Sequence, residues 1–273
     1  MTSPLLIKGN RSGRDITAVT PESAGWKFVG FRAVRLKPAE VERFSTEARE
    51  YCLVVLSGKI DLRLSGGLVF NSHFKSLGNR QSVFDAVSPA AVYIPAATEV
   101  TISAISDCEI ALCHAPSDQQ IRPPVLIDSV AMKRSQRGQG SNLRFVCDIL
   151  PQDHPAAASL LVVEVVTPPG HSSSYPPHKH DVDNYPSETR LEETYYHRLN
   201  PAGGFAFQRV YSDDRSLDEA MAVEDHDVVL VPRGYHPCVA PHGYELYYLN
   251  VMAGPRRHWA FTNDPAHQWL IKT

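Results

Sequence analysis

Val229-Leu-Val-Pro-Arg-Gly-Tyr-His236 reads as an apolar strand that runs into a turn and ends on an imidazole. Val92-Tyr-Ile-Pro-Ala-Ala-Thr-Glu99 lies over it, with Pro95 matching Pro232 and Glu99 falling where His236 stands. Upstream, Glu50-Tyr-Cys-Leu-Val-Val55 lies over Glu193-Thr-Tyr-Tyr-His-Arg198. Glu50 to Glu99 spans 49 positions and Glu193 to His236 spans 43. Similar spacing used twice points to one ancestral β unit, duplicated. The matched stretches are short, and apolar β segments also resemble one another by chance.

The intervening chain has the same texture. Trp26 to Leu36, Tyr51 to Leu56, Ser159 to Thr167, Thr194 to Arg198, Gly204 to Tyr211, Asp227 to Val231 and Tyr244 to Val251 are rich in β-branched and aromatic residues. Gly, Pro, Asn and Asp interrupt them at short intervals. Helix signals are sparse, and 21 prolines oppose long helices. The rhythm predicts an all-β protein of sandwich or barrel type, in two domains. A polar, proline-containing stretch, Gln119 to Pro124, places the join, giving domains 1–120 and 121–273. Arg134-Ser-Gln-Arg-Gly-Gln-Gly-Ser-Asn142 is too polar and glycine-rich for core. It reads as a solvated loop or as an anion-facing flap over the second barrel.

Composition narrows the function. The chain is 43% hydrophobic and 21% charged, ordinary for a globular protein. A formal charge of −3 without any basic run argues against a nucleic-acid partner. The five cysteines are odd in number and form no Cys-x-x-Cys, which suits a reducing compartment. The N-terminus does not read as a secretion signal. The most apolar run, Leu160 to Val166, is interrupted by Glu164 and is too short to span a bilayer. A cytoplasmic protein without a membrane partner is expected.

Three further pieces carry chemistry: His178-Lys179-His180, Glu192-Glu193 and Pro232-Arg-Gly-Tyr-His236. Side chains alternate faces along a strand, so His178 and His180 point one way, and Glu193, Tyr195 and His197 share a face. A Pro-x-Gly turn lifts His236 into a cavity. Each piece alone reads more readily as surface or packing. Together, three imidazoles and one carboxylate suit one divalent ion with two open octahedral positions. Zn, Mn, Fe and Ni all accept such ligands. The first half has no equivalent: Val41 to Arg49 offers no imidazole, so that half is expected to bind no metal.

Gly170 to Glu193 and Pro232 to His236 resemble the two motifs of the cupin superfamily. Twelve residues separate His180 from Glu193, more than in most cupins, and Gly234 and His236 are separated by one residue where the motif has two. Ser173-Ser-Tyr-Pro-Pro-His-Lys-His-Asp181, Leu191-Glu-Glu-Thr-Tyr-Tyr196, Leu161-Val-Val-Glu-Val165, Arg233-Gly-Tyr-His-Pro237 and Tyr247-Tyr-Leu-Asn-Val-Met-Ala-Gly-Pro255 resemble the 5-deoxy-glucuronate isomerase family of myo-inositol catabolism. The likeness extends more thinly to Gly78-Asn-Arg80 and Val92-Tyr-Ile-Pro95. It implies a bicupin, two jelly-roll β-barrels, that interconverts 5-deoxy-D-glucuronate and 2-deoxy-5-keto-D-gluconate. By position it implies His178, His180, Glu193 and His236 as metal ligands, with Glu192 in place of Glu193 if the strand is shifted by one.

Aldose–ketose isomerisation needs a stabilised oxyanion and a proton carrier. Tyr195 and His197, on the ligand face, are the candidate carriers, against barrel-lining and rim roles. A guanidinium suits the sugar acid's carboxylate. Arg209, in alternation with Phe205 and Phe207, would end an inward row, and its change to Ala should raise KM more than it lowers kcat. Arg190 and Arg233 are the alternatives near the motifs. Rival readings are an isomerase of 5-keto-4-deoxyuronate, an oxidative Fe cupin and a non-catalytic sugar-binding cupin. A homo-oligomer is left open.

Overall fold

The computed structural model describes residues 3–66, 71–118 and 120–271. Its regular elements are almost all β-strands, as the sequence rhythm predicts. Contacts divide the chain into two compact units. One comprises residues 1–9, 134–147 and 163–273; the other comprises 10–133 and 148–162. The chain therefore changes unit several times, instead of once near 120 as the sequence reading has it. The reason is local pairing: Leu6–Ile7 hydrogen-bonds antiparallel to Val228–Val231, far along the chain. Gln119, at the expected join, lies outside the described residues. No helix among the described residues is long and apolar enough to cross a membrane.

The unit made mostly of the first half holds a six-stranded sheet and a four-stranded sheet. In the larger sheet Arg49–Ser57 lies between Ala90–Ile94 and Cys108–Pro116. These three strands are buried along nearly their whole length, so they read as continuous apolar runs rather than alternating ones. Ile60–Ser65, in the smaller sheet, alternates instead, turning Ile60, Leu62 and Leu64 inward. Val34, Leu53, Val55, Val92, Ile102 and Ile110 join them in one apolar core.

The second unit repeats this layout. Glu192–Asn200 lies between Val228–Val231 and Glu245–Ala253 in a seven-stranded sheet. A four-stranded sheet contains Phe205–Tyr211 and Asp218–Glu224, and His178–Lys179 pairs with Thr262–Asn263. The two ladders differ by one residue. Tyr51 pairs with Ile94, the residue before Pro95, whereas Glu193 pairs with Val231, the residue before Pro232. Tyr51, not Glu50, thus holds the place of Glu193. Tyr51 stacks on His114 with ring centroids 4.7 Å apart and packs against the apolar core.

Glu50 points to the opposite face and is fully buried. Its carboxylate accepts hydrogen bonds from the backbone N–H groups of Ala158 (2.8 Å), Ser159 (2.6 Å) and Leu160 (2.8 Å) and from the Tyr93 hydroxyl (3.0 Å). Removing the acceptor breaks one buried and two part-buried backbone hydrogen bonds. Glu50→Ala is therefore expected to destabilise the fold by about 3 kcal/mol. Thermal melting should show a midpoint lowered by roughly 6–12 °C; an unchanged midpoint would contradict the account.

Candidate metal centre

The ligand-like side chains converge by backbone means. His180 follows the short strand His178–Lys179. The twelve-residue insert after it folds back on itself: the Glu188 carboxylate accepts from the backbone N–H groups of Asp181 (2.6 Å) and Val182 (3.1 Å). The Leu191 N–H then donates to the His180 carbonyl at 3.1 Å. This closure brings Glu193 beside His180 despite the long insert. His236 is placed by the turn before it. Gly234 has φ +91°, and a Cβ there would lie 2.5 Å from the Tyr211 carbonyl oxygen, so only glycine fits. Its N–H donates to Asp181 at 2.6 Å, tying the turn to the insert.

His180, Glu193 and His236 are buried, with one ligand-type atom of each lying within 4.8 Å of the others. The tautomers follow from the neighbours. His180 Nδ1 faces the Leu191 carbonyl at 3.1 Å, and His236 Nδ1 faces the Gly234 carbonyl at 2.8 Å. A carbonyl only accepts, so each Nδ1 carries the hydrogen and each Nε2 presents a lone pair. Those two Nε2 atoms stand 3.0 and 3.3 Å from Glu193 Oε2. Asn250 Nδ2 donates to the other carboxylate oxygen at 2.6 Å. His236 Nε2 has no hydrogen-bond partner among the described residues although it is buried. Three buried acceptors facing one another call for a proton or a cation, and this donor set fits a divalent ion. His178 stands beside them, its ring centroid 4.7 Å from that of His236 and 6.4 Å from that of His180. Lys179 points away and pairs with Asp213. Glu193, not Glu192, faces the histidines.

A cavity of about 300 Å³ opens on this cluster, at the small end of ligand pockets. His178, Glu193, Tyr195, Tyr248 and Asn250 line it, and Tyr175, Trp259 and Phe261 add aromatic wall. The Tyr195 hydroxyl is 2.9 Å from Ser174 Oγ, which lies 3.4 Å from the Tyr248 hydroxyl. Burial pushes both phenols well above their ordinary range, so they stay protonated in neutral solution.

His197 shares the face of Glu193, as strand alternation requires, but it does not line the cavity. Four residues of strand carry it about 13 Å onward. It is fully buried, and its Nε2 is 2.8 Å from Gln208 Oε1. The three arginines proposed from the sequence also lie elsewhere. Arg209 is exposed and holds Asp218 through Nε and Nη2, both at 2.7 Å. Its strand buries Ala206, Gln208 and Val210, so Phe205, Phe207 and Arg209 form the outward row, and the assumed phase was inverted. Arg190 is exposed, and Arg233 is exposed with its guanidinium donating to Ser216 Oγ at 3.0 Å. The arginines that do line the cavity are Arg137 and Arg144. Arg137 belongs to the polar segment read as solvated loop or flap; instead, Lys133–Arg137 is a strand at the edge of the seven-stranded sheet.

The all-β fold is cupin-like, and it gathers histidines and a glutamate beside a small cavity. Oxalate decarboxylase from Lactobacillus farciminis shares the fold at TM-score 0.65 and 14% identity, over 100% of this chain and 91% of its own. The chain belongs to the KduI/IolB family, which matches residues 5–270. It is 49% identical over 259 residues to the 5-deoxy-glucuronate isomerase of Geobacillus kaustophilus, covering 95% of this chain and 91% of the relative. The enzyme of that name from Bacillus subtilis strain 168 is 48% identical over 254 residues, with coverages of 93% and 92%. The crystal structure of an IolB-like protein from Salmonella typhimurium LT2 superposes at TM-score 0.93 and 45% identity, over 98% and 99% of the two chains.

Burial holds His178 and His236 near pKa 3 and His197 near 4, below the ordinary imidazole value. For His180, burial works downward, but in the imidazolium Nε2 gains a proton and donates it to the Glu193 carboxylate, which outweighs burial, and the pKa rises. Three depressed imidazoles against one raised give a net sign. The unfolded chain takes up protons near pH 6.5 that the folded protein refuses, so stability present above that pH is lost as pH falls toward 4. Metal-stripped protein should therefore show a melting midpoint that drops steadily between pH 7 and 4.5; a flat or rising profile would contradict it.

Proposed function

We propose that this chain is a metal-dependent 5-deoxy-glucuronate isomerase, interconverting 5-deoxy-D-glucuronate and 2-deoxy-5-keto-D-gluconate. The observation that carries the reading is the buried cluster of His180, Glu193 and His236, with the His178 ring beside it and His178 and Glu193 on the wall of a small cavity, in a chain nearly half identical to enzymes of that name. The fold is read as a bicupin in which only the second unit is active. In the first, the place of Glu193 is taken by Tyr51, an aromatic packed into core, which supports a metal-free barrel. The substrate is a free sugar acid, without nucleic-acid or membrane partners, and the protein is placed in the cytoplasm.

The four residues would hold one divalent ion: Zn, Mn, Fe or Ni. Bacillus subtilis oxalate decarboxylase, of the same fold, carries Mn(II) centres. When bound, the ion supplies Lewis-acid stabilisation of negative charge developing on the substrate oxygens. The chain's residues do the rest. Asn250 fixes the Glu193 carboxylate. Tyr195, protonated and facing the cavity, exchanges a proton with a substrate oxygen, and Ser174 links it to Tyr248, so the hydroxyls form a short relay for redistributing oxygen protons. His197, outside the cavity, is a positioning residue: Gln208, which it contacts, reaches the His236 carbonyl at 3.5 Å.

Aldehyde loss from 5-deoxy-glucuronate, followed by NMR, tests the activity directly. No turnover by metal-replete protein, or preferential turnover of 5-keto-4-deoxyuronate, would overturn the assignment. His236→Ala is expected to purify folded, with bound metal largely lost on elemental analysis and activity down at least about 10³-fold. His178→Ala should also lose metal; unchanged content would remove His178 from the ligand set. Tyr195→Phe should keep its metal and lower kcat by about 10²-fold or more; a kcat within twofold of wild type would exclude Tyr195 from proton transfer.

A further inference from the structure

Several arginine guanidiniums sit against carboxylates. Arg209 holds Asp218, Arg122 holds Asp118, and Arg14 and Arg32 share Glu42. Arg144 does not. It is half-buried on the cavity wall, and no carboxylate of the described residues pairs with it. Its Nη1 donates to the backbone carbonyl and to the side-chain oxygen of Asn142, both at 3.1 Å. Asn142 is itself anchored, donating to the Tyr175 carbonyl at 3.2 Å. One edge of the guanidinium is thus fixed by neutral acceptors, and Nε and Nη2 make no hydrogen bond to described residues. A desolvated charge left without a counter-charge is costly, so a fold that pins one beside a ligand cavity is prepared for an anion.

The charge balance of the cavity agrees. Arg137 and Arg144 line it against a single carboxylate, Glu193, which is already engaged by Asn250 and faces two imidazoles. Burial lowers the Arg144 pKa from its ordinary value, with the nearby Arg137 charge acting in the same direction. A guanidinium starting so high remains charged at neutral pH, and an incoming anion relieves both effects. Arg137 lies with its guanidinium 5.9 Å from the Trp259 ring centroid, so it too is held at the wall.

We propose that Arg144 is the residue that binds the substrate carboxylate, through Nε and Nη2, with Arg137 adding a second positive charge beside it. The inference rests on the reading of the cavity as a sugar-acid site. It makes Arg144 the determinant of preference for an acid over a neutral sugar, and it orients the chain of the sugar so that the aldehyde end meets the histidine cluster.

The test separates this inference from its parent. Wild-type holoenzyme, Arg144→Gln and Arg137→Gln are titrated calorimetrically with two probes. One is the C1 alcohol of 5-deoxy-glucuronate, which keeps the carboxylate and cannot isomerise. The other is its neutral counterpart, with hydroxymethyl in place of the carboxylate. Arg144→Gln should weaken the acid about 30-fold or more and the neutral probe less than twofold. Arg137→Gln should show a smaller loss of the same selectivity, and it decides the matter if Arg144→Gln does not fold. Equal losses for both probes, or no loss for the acid, would overturn the proposal. Wild-type protein that binds the acid selectively but turns over no 5-deoxy-glucuronate would sink the isomerase reading and leave this one standing.

Discussion

Two imidazole lone pairs held against one buried carboxylate are the constraint on which the rest of the site depends. Left to themselves, three acceptors in a dry place repel, and the group that solves the conflict most economically is a cation. The fold must therefore restrain them from separating. It does so with backbone: carbonyls of Leu191 and Gly234 lock the outer nitrogens of His180 and His236. Glu193 sits mid-sheet, laddered to Val231 on one side and Met252 on the other. Because the restraint comes from strands and one glycine turn, not from flexible side chains, the cluster is pre-organised rather than assembled on binding.

Strand alternation made much of this legible in the sequence. A period of two is rigid, so Glu193, Tyr195 and His197 share a face wherever the strand lies. The same rule says nothing about where along that face a cavity ends, which is why His197 was placed at the site and stands beyond it. Alternation also leaves the phase open when both faces carry apolar residues. Phe205 and Phe207 look more like core than Ala206 and Gln208, yet they are 39% and 49% exposed on an outer sheet. Exposed apolar side chains are common, so hydrophobicity alone could not decide, and Arg209 went the wrong way with them. Arg144 reaches the cavity through a return of the chain in three dimensions, for which the polar segment before it offered only a hint.

The repeat shows how an offset of one residue exchanges the side chains on one face of a strand. The two central strands occupy matching places, but their ladders to the proline-bearing strand are offset by one residue. A shift of one sends every side chain to the other face. Glu50 therefore turns to the opposite face, where it stays buried and binds three backbone N–H groups of the segment 158–160, while half-buried Tyr51 packs against the core in its stead. Sequence alignment matched the two glutamates because it compares letters, whereas function follows the face.

A sugar acid poses a recognition problem that the cavity's polarity is suited to solve. Its hydroxyls are chemically alike, so hydrogen bonds to them hold the molecule without telling one end from the other. The carboxylate is the only fixed charge, and a single guanidinium fork against it breaks the ambiguity. That contact is worth most where water is scarce, and here Trp259, Phe261 and Tyr175 supply low-dielectric wall around the arginines. The same wall raises the cost of leaving Arg144 without a counter-charge, and none of the described residues supplies one. Strain of this kind, stored in the free protein and released by the correct ligand, favours an anion over a neutral sugar of equal size without any added contact, since the neutral molecule leaves the guanidinium as unpaired as before.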